Sequence, residues 1–343
     1  MPEPYLVSGA SGFAGRHLLE ARDPGTAMLA LVRDAAAWAA LNWSAQLGNV
    51  VPVPGTVTGT DDWAGGLPRI AGIFHFAAVV RHSRIGAEEL YATNVDGTLA
   101  MVRLAARHGC RVVMLSTSGT VGCFREPSAT ADENADFCEE TVAGWPYYHS
   151  KIVAERRARA LAAELGVELV FLRPPVLLGP GDHRFRSTAN VVRMLRGRLP
   201  FLIRGGMHFV DVRDVIAAAW RAMETAQPRP VYHLPGLASS IEEFFAMVAA
   251  ASGTAAPRRL LPYGLARRLA ALDEWLGLRL RGEPLHVFPG PVIVEMASHY
   301  WGLSSLYAAD DLGFVARDPL ETLRDTVAWL RANHPEIRDS YLN

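Results

Sequence analysis

Lysine is nearly absent from this chain. Of its 34 basic residues, 33 are arginine and one, Lys151, is lysine. A bias in genomic base composition explains the replacement, and it also makes the survivor conspicuous. Arginine serves wherever charge alone is needed, but it does not replace a compact ammonium at close quarters. Cysteine is scarce as well. Cys110, Cys123 and Cys138 are too few and too unevenly spaced for a disulfide framework, and none forms a Cys-x-x-Cys pair, so a reducing compartment is expected. Long hydrophobic runs are missing too. Val167 to Leu178 is broken by Arg173, and Leu285 to Ala297 by Pro289, Pro291 and Glu295, so neither reads as a bilayer-spanning helix of about 20 residues. The N-terminal Met1-Pro2-Glu3-Pro4-Tyr5-Leu6-Val7 lacks the basic stretch and apolar core of a signal peptide, and cytoplasm is the default expectation. A formal charge of −1 excludes a globally basic nucleic-acid binder.

Apolar mass is what the chain does have. It runs to 343 residues, 50% hydrophobic and 20% charged, enough for one large domain or a main domain with a smaller partner. Short apolar runs at Tyr5 to Ser8, Ala27 to Val32, Val50 to Val53, Ile73 to Phe76, Arg111 to Leu115 and Glu168 to Leu172 read as strands. Helical patterns lie between several of them, notably Gly97 to His108 and Tyr147 to Leu165. The alternation predicts an α/β fold, a doubly wound parallel sheet of the Rossmann type. It weakens after Gly179-Pro180-Gly181, where a smaller, irregular lobe is expected. The chain is expected to return to the sheet at Phe209 to Val212 and Val231 to Leu234. That gives a dinucleotide-binding domain over 1–178 with about 208–236, and an interleaved substrate lobe over 179–207 and 237–330. A stripe of Leu265, Leu269, Leu272 and Leu276 marks an amphipathic helix. Core packing is expected for it, although Arg279 and Arg281 would suit peripheral contact with a membrane surface.

Gly9, Gly12 and Gly15 follow the first strand and open a helix, spaced G-x-x-G-x-x-G where the standard dinucleotide turn reads G-x-G-x-x-G. Gly9 permits the tight turn, Gly12 lets the backbone approach a pyrophosphate, and Gly15 allows close helix–strand packing; the helix N-terminus then faces the phosphates. Ser11 and Phe13 lie within the turn. An acid at the end of the second strand would select NAD(H), but that strand ends Val32-Arg33-Asp34. Arg33 suits a 2′-phosphate, so NADP(H) is favoured, with NAD(H) left open by Asp34.

Tyr147 and Lys151 are four residues apart and share one helix face. A phenol is a poor base near neutrality, and a neighbouring ammonium with an oxidised nicotinamide brings it toward working range. A hydroxyl to orient the substrate oxygen is expected after the fifth strand, at Ser118, with Thr117 and Thr120 as alternatives. His75, His82, His149 and His183 lack a joint ligand spacing with acids or cysteines, and no metal site is expected.

These residues resemble the extended short-chain dehydrogenase/reductase superfamily, which includes the NAD-dependent epimerases and dehydratases. The resemblance is carried by GASGFAG at 9–15, HFAA at 75–78, NVDGT at 94–98, STSGTVG at 116–122, YYHSK at 147–151, RPPVLLGPGD at 173–182 and FVDVRDV at 209–215. It implies Ser118, Tyr147 and Lys151 as the catalytic set, with Asn94 supporting a proton relay behind Lys151. It implies Ala77 and Ala78 lining the cofactor, and Pro174 and Val176 complete the expected cofactor-binding set. It also implies a homodimer through the Tyr147 helix.

Sugar-nucleotide epimerases and dehydratases share the scaffold, but their usual anchors for a nucleotide diphosphate are missing around Arg173-Pro174-Pro175 and Gly205 to Val212. Arg184, Arg186 or Arg204 would have to substitute. The pattern looks closer to the 3β-hydroxysteroid dehydrogenase and dihydroflavonol reductase branches, whose relatives include sterol-4-carboxylate 3-dehydrogenases. A small hydrophobic substrate fits Leu285, Val287, Phe288, Val292, Ile293, Val294, Met296, Tyr300 and Trp301 in the second lobe. A dinucleotide sensor without turnover is the remaining alternative, and the retained Tyr-Lys pair speaks against it.

Overall fold

The computed structural model describes residues 2–285 and 287–338. Its strands are β1 (Tyr5–Ser8), β2 (Met28–Val32), β3 (Val50–Pro54), β4 (Gly72–His75), β5 (Arg111–Leu115), β6 (Cys123–Phe124), β7 (Leu169–Arg173), β8 (Val176–Leu178), β9 (Gly206–Asp211), β10 (Val231–His233), β11 (Leu237–Ser240) and β12 (Tyr300–Trp301). Seven of them form one sheet in the order β10-β7-β5-β4-β1-β2-β3. Every pair in it is parallel. The order reverses at β1, and in such sheets ligands bind in the crevice beyond the carboxyl ends of the strands at that point. Ser8 and His75 are register partners at those ends.

Both faces of the sheet are covered, which is why β2 and β7 are buried along their whole length rather than alternating. The Phe13–Ala21 and Val212–Glu224 helices pack Leu18, Leu19, Val215 and Ile216 against Val7, Phe74 and Val113. On the other face, the Gly97–His108 and Pro146–Leu165 helices pack Met101, Val102, Ala154 and Ala158 against Leu6, Ile73, Val112 and Phe171. Pro52 and Pro54 are tolerated in β3 because it is an edge strand.

Two expectations change. The Phe209 to Val212 run does not join the main sheet. Its strand, β9, lies between β8 and β11 in a separate three-stranded sheet, and the chain re-enters the large sheet only at β10. The leucine stripe is not core either. The Tyr263–Arg281 helix buries Ala266, Ala270, Asp273 and Gly277, while Leu265, Leu269 and Leu272 are exposed and Leu276 is half-buried. Small side chains let this helix sit close: a Cβ on Gly277 would lie 2.4 Å from the Leu285 backbone nitrogen. No helix among the described residues is long and apolar enough to cross a membrane.

Candidate active site

The turn after β1 is built around its glycines. Gly9 has φ of +74°, and a Cβ there would lie 2.7 Å from the Ala77 nitrogen at the end of β4. Gly15 backs onto the same turn, where a Cβ would fall 2.2 Å from the Gly9 carbonyl. The Gly12 N–H donates to that carbonyl at 2.9 Å. The following helix opens with no side-chain cap and no acid in its first turn, so its first N–H groups and positive dipole end face the crevice. This cradle, which any side chain would fill, fits a dinucleotide pyrophosphate. Ser11 and Phe13 stand at its rim, half-buried. Pro174 is buried with its carbonyl on the Ser118 N–H at 2.8 Å, and Val176 is half-buried in β8.

Arg33 is exposed at the end of β2. Asp34 beside it caps the next helix, its Oδ1 accepting the Ala36 and Ala37 N–H groups at 2.8 and 3.0 Å.

Tyr147 and Lys151 lie on the Pro146–Leu165 helix, Tyr147 half-buried and Lys151 fully buried. The Lys151 ammonium donates to the Leu115 carbonyl at 2.7 Å, at the end of β5. Burial lowers its pKa to about 8, with the Glu155 carboxylate pulling the other way. Burial pushes the Tyr147 phenol up to about 12, so the protein alone leaves it protonated. Ser118 sits in a single helical turn just after β5. Thr117 and Thr120 use their hydroxyls within that turn, on Gly119 N–H and Thr117 carbonyl, whereas Ser118 makes no such bond. Gly119 allows the turn to approach the helix, because a Cβ there would lie 2.1 Å from the Tyr148 ring.

Asn94 is buried in a π-helical turn, Ala92–Asp96, a distortion that recurs at functional sites. Its amide is fully used. Oδ1 accepts the Val79 N–H at 2.8 Å, and Nδ2 donates to the Val79 carbonyl and to Ser150 Oγ at 3.1 and 3.0 Å. It makes no direct bond to Lys151. Ala77 and Ala78 lie between this anchored Val79 and β4.

A second buried chain leads toward the cofactor turn. Thr98 donates to the Asn94 carbonyl at 2.7 Å, His75 Nε2 meets the Thr98 hydroxyl at 3.0 Å, and Ser8 meets His75 Nδ1 at 2.7 Å. Because the Thr98 proton is already given, His75 must donate from Nε2 and accept from Ser8 at Nδ1. Burial, reinforced by Lys151, lowers the His75 pKa to about 3, which keeps it in that neutral form.

Two residues here carry no expectation from the sequence. Glu155 lies one turn beyond Lys151 and is fully buried, gripped by the buried Arg173 at 2.6 Å and by the Ser116 hydroxyl. Burial opposes its charge, but Arg173 and Ser116 hold its carboxyl below the ordinary range. Its i, i+4 spacing from Lys151 was a readable signal. His82, in the segment after β4, sets its ring edge-on to Tyr147 at 5.5 Å and stacks on Tyr148 at 5.8 Å. Burial lowers its pKa to about 4, and its Nδ1 has no hydrogen-bond partner among the described residues. No pattern marked it. His149, by contrast, faces away and bonds the Tyr91 hydroxyl at 2.6 Å.

The irregular lobe closes over the tyrosines. Val292, Met296 and Trp301 pack with Trp145, Tyr147 and Tyr148, with the Trp301 ring 5.2 Å from Tyr148. Trp145 Nε1 donates to Glu295 at 2.9 Å, which ties the lobe to the start of the Tyr147 helix.

Fold and cradle together define an NAD-dependent enzyme of the extended short-chain dehydrogenase/reductase type. The chain belongs to the NAD-dependent epimerase/dehydratase family, which matches residues 5–234. It is 29% identical to a protein of Synechocystis sp. provisionally described as a dihydroflavonol 4-reductase, over 98% of this chain and 97% of that one. It is 27% identical to sterol demethylase protein B of Methylococcus capsulatus, over 95% and 98% of the two chains. Among solved structures, gox2253 superposes with a TM-score of 0.80 at 25% identity, covering 97% of this chain and 99% of that one. MoeE5 in complex with UDP-glucose and NAD does so with 0.71 at 25% identity, covering 96% and 99%.

Proposed function

We propose that this protein is an NADP(H)-linked oxidoreductase for a secondary alcohol or ketone on a hydrophobic ring substrate, of 3β-hydroxysteroid, sterol or dihydroflavonol type. The observation that carries the reading is the apolar cluster that joins Val292, Met296 and Trp301 of the irregular lobe to Tyr147 and Tyr148. The names of the Synechocystis and Methylococcus relatives support it. In this reading the segments 179–207 and 237–330 form the substrate lobe, and the Pro146–Leu165 helix is the homodimer contact.

When bound, the nicotinamide supplies the hydride acceptor or donor. The protein's residues handle the oxygen and its proton. Ser118, whose hydroxyl is not spent on its own turn, donates to the substrate oxygen. Tyr147 removes the alcohol proton during oxidation and returns it to the ketone oxygen in the reverse direction. Lys151 favours the phenolate by its charge and offers its remaining donors to the nicotinamide ribose. Asn94 acts one layer behind, as a positioning residue that holds Ser150 and Val79. A substrate carrying a carboxyl group on the carbon next to the carbinol would yield a β-keto acid on oxidation, which readily loses carbon dioxide.

A sugar-nucleotide epimerase or dehydratase is the second reading, favoured by the likeness to MoeE5 with UDP-glucose and NAD. Its anionic anchor would be Arg184, which reaches Ser11 at 3.4 Å. Reduced-nicotinamide absorbance separates the two, followed with a 3β-hydroxysteroid and NADP⁺ or NAD⁺. The expected result is a rise that Tyr147→Phe abolishes while cofactor still binds. Wild-type turnover in Tyr147→Phe would overturn the role of the phenol. A flat trace with steroid, together with conversion of a UDP-sugar, would overturn the lipid-alcohol reading.

A further inference from the structure

The Tyr263–Arg281 helix presents its large apolar side chains to solvent. Leu265 is 47% exposed, Leu269 37%, Leu272 50% and Leu280 71%, and Trp275 beside them is 54% exposed. Scattered single leucines on a surface need no explanation, but a contiguous stripe along a helix marks an interaction face. At about 100° per residue, Leu265, Leu269, Leu272 and Leu276 fall within an arc of about 60°.

Charge identifies the partner. Arg268, Arg279 and Trp275 follow the stripe on the edge remote from the protein, and the Arg279 guanidinium lies 5.7 Å from the Trp275 ring centroid. Glu274 projects roughly opposite the stripe, about 170° away by the same helical arithmetic, and Asp273 is buried on the Val287 and Phe288 N–H groups. Arg267 and Arg281 project to the same side as Glu274, so the two arginines that border the stripe, Arg268 and Arg279, have no acid of this helix beside them. Leucine between snorkelling arginines and an interfacial tryptophan is the composition of a helix lying in the headgroup plane.

We propose that this helix docks the enzyme on an anionic membrane surface. The inference does not depend on the substrate reading, although the two fit together. Val294 of the Pro291–Ala297 helix packs under Ala266 and Ala270, while Val292 of the same helix packs on Trp145 and Tyr148. The docked face is therefore one helix away from the candidate active site.

Co-sedimentation of the full chain tests this, with vesicles of phosphatidylcholine alone and of phosphatidylcholine mixed with phosphatidylglycerol. The wild type should bind the mixed vesicles and be released by salt. L272E/W275E should bind them about tenfold more weakly or worse. R268A/R279A should bind roughly 25-fold more weakly, since each basic residue near an anionic leaflet strengthens adsorption about fivefold. Both variants should keep the wild-type melting temperature and elution volume. If L272E/W275E fails to fold, R268A/R279A decides alone. Absence of wild-type binding, or binding that both variants retain in full, overturns the proposal. A change of elution volume in L272E/W275E would instead assign the face to contact between copies of the chain.

Discussion

Lys151 and Glu155 lie one turn apart on the buried face of one helix, and each carboxylate oxygen of Glu155 is already engaged, Oε1 by Ser116 and Arg173 and Oε2 by Arg173 and Arg159. The acid therefore neither abstracts the lysine proton nor reaches the substrate. It acts on Lys151 through space, opposing the loss of charge that burial imposes.

Glu155→Gln should lower the Lys151 pKa further below about 8 and leave the Arg173 guanidinium buried without an anion. Breaking a buried pair in this way costs about 3–5 kcal/mol. Urea unfolding reads the stability, and the pH at which cofactor affinity falls reads the lysine. A variant as stable as the wild type with an unmoved pH profile would remove Glu155 from this role.

Cofactor choice is the second expectation. Asp34 caps the next helix through Oδ1, and the exposed Arg33 beside it is the cation at the end of β2. NADPH should bind more tightly than NADH, and Arg33→Ala should weaken NADPH about 10- to 100-fold while leaving NADH unchanged, the value of a hydrogen bond to a charged group. Titration of both nucleotides by fluorescence checks it. Equal losses for the two would sink the reading of Arg33.

Acid should destabilise the protein through two buried histidines. His75 accepts from Ser8, and His208 accepts the Gly236 N–H at Nε2, 3.1 Å away; burial lowers their pKa values to about 3 and about 4. Both lie below the unfolded value near 6.5, so between the folded and unfolded values the unfolded chain binds more protons. The stability is thus complete above about pH 6.5 and is lost as pH falls, by about 2 kcal/mol per histidine at pH 5. His208→Gln, which keeps an acceptor for Gly236, should reduce the loss between pH 7 and pH 5 by about 2 kcal/mol. An unchanged loss in chemical denaturation would show that folding does not shift the His208 pKa.

Much of this was legible beforehand, and what was not has physical reasons. The strands of the main sheet are short apolar runs with turn residues around them, and glycine spacing marked the cradle because backbone geometry demands it. An apolar run does not say which sheet it joins, so β9 was misplaced. The Leu265 stripe departs from its expected core packing for a related reason. Helical periodicity identifies two faces, but whether the leucines or the alanines turn inward is decided by how closely the neighbouring backbone approaches, as at Gly277. His82 was invisible because its role arises where a loop crosses Tyr147, and no spacing encodes that meeting. Glu155 was within reach of pattern alone, four residues after Lys151.

The run from Ser8 through His75 and Thr98 to Asn94 has a direction, since every proton in it already has an assigned acceptor and the last acceptor is a backbone carbonyl. Such a line is a strut and not a wire. It braces the end of β1 against the π-helical turn, and it has no proton to hand on without breaking one of its own links. A brace of this kind fixes the distance between the turn that cradles the pyrophosphate and the turn that holds Ser150, so the floor of the site keeps its shape while the chemistry proceeds above it.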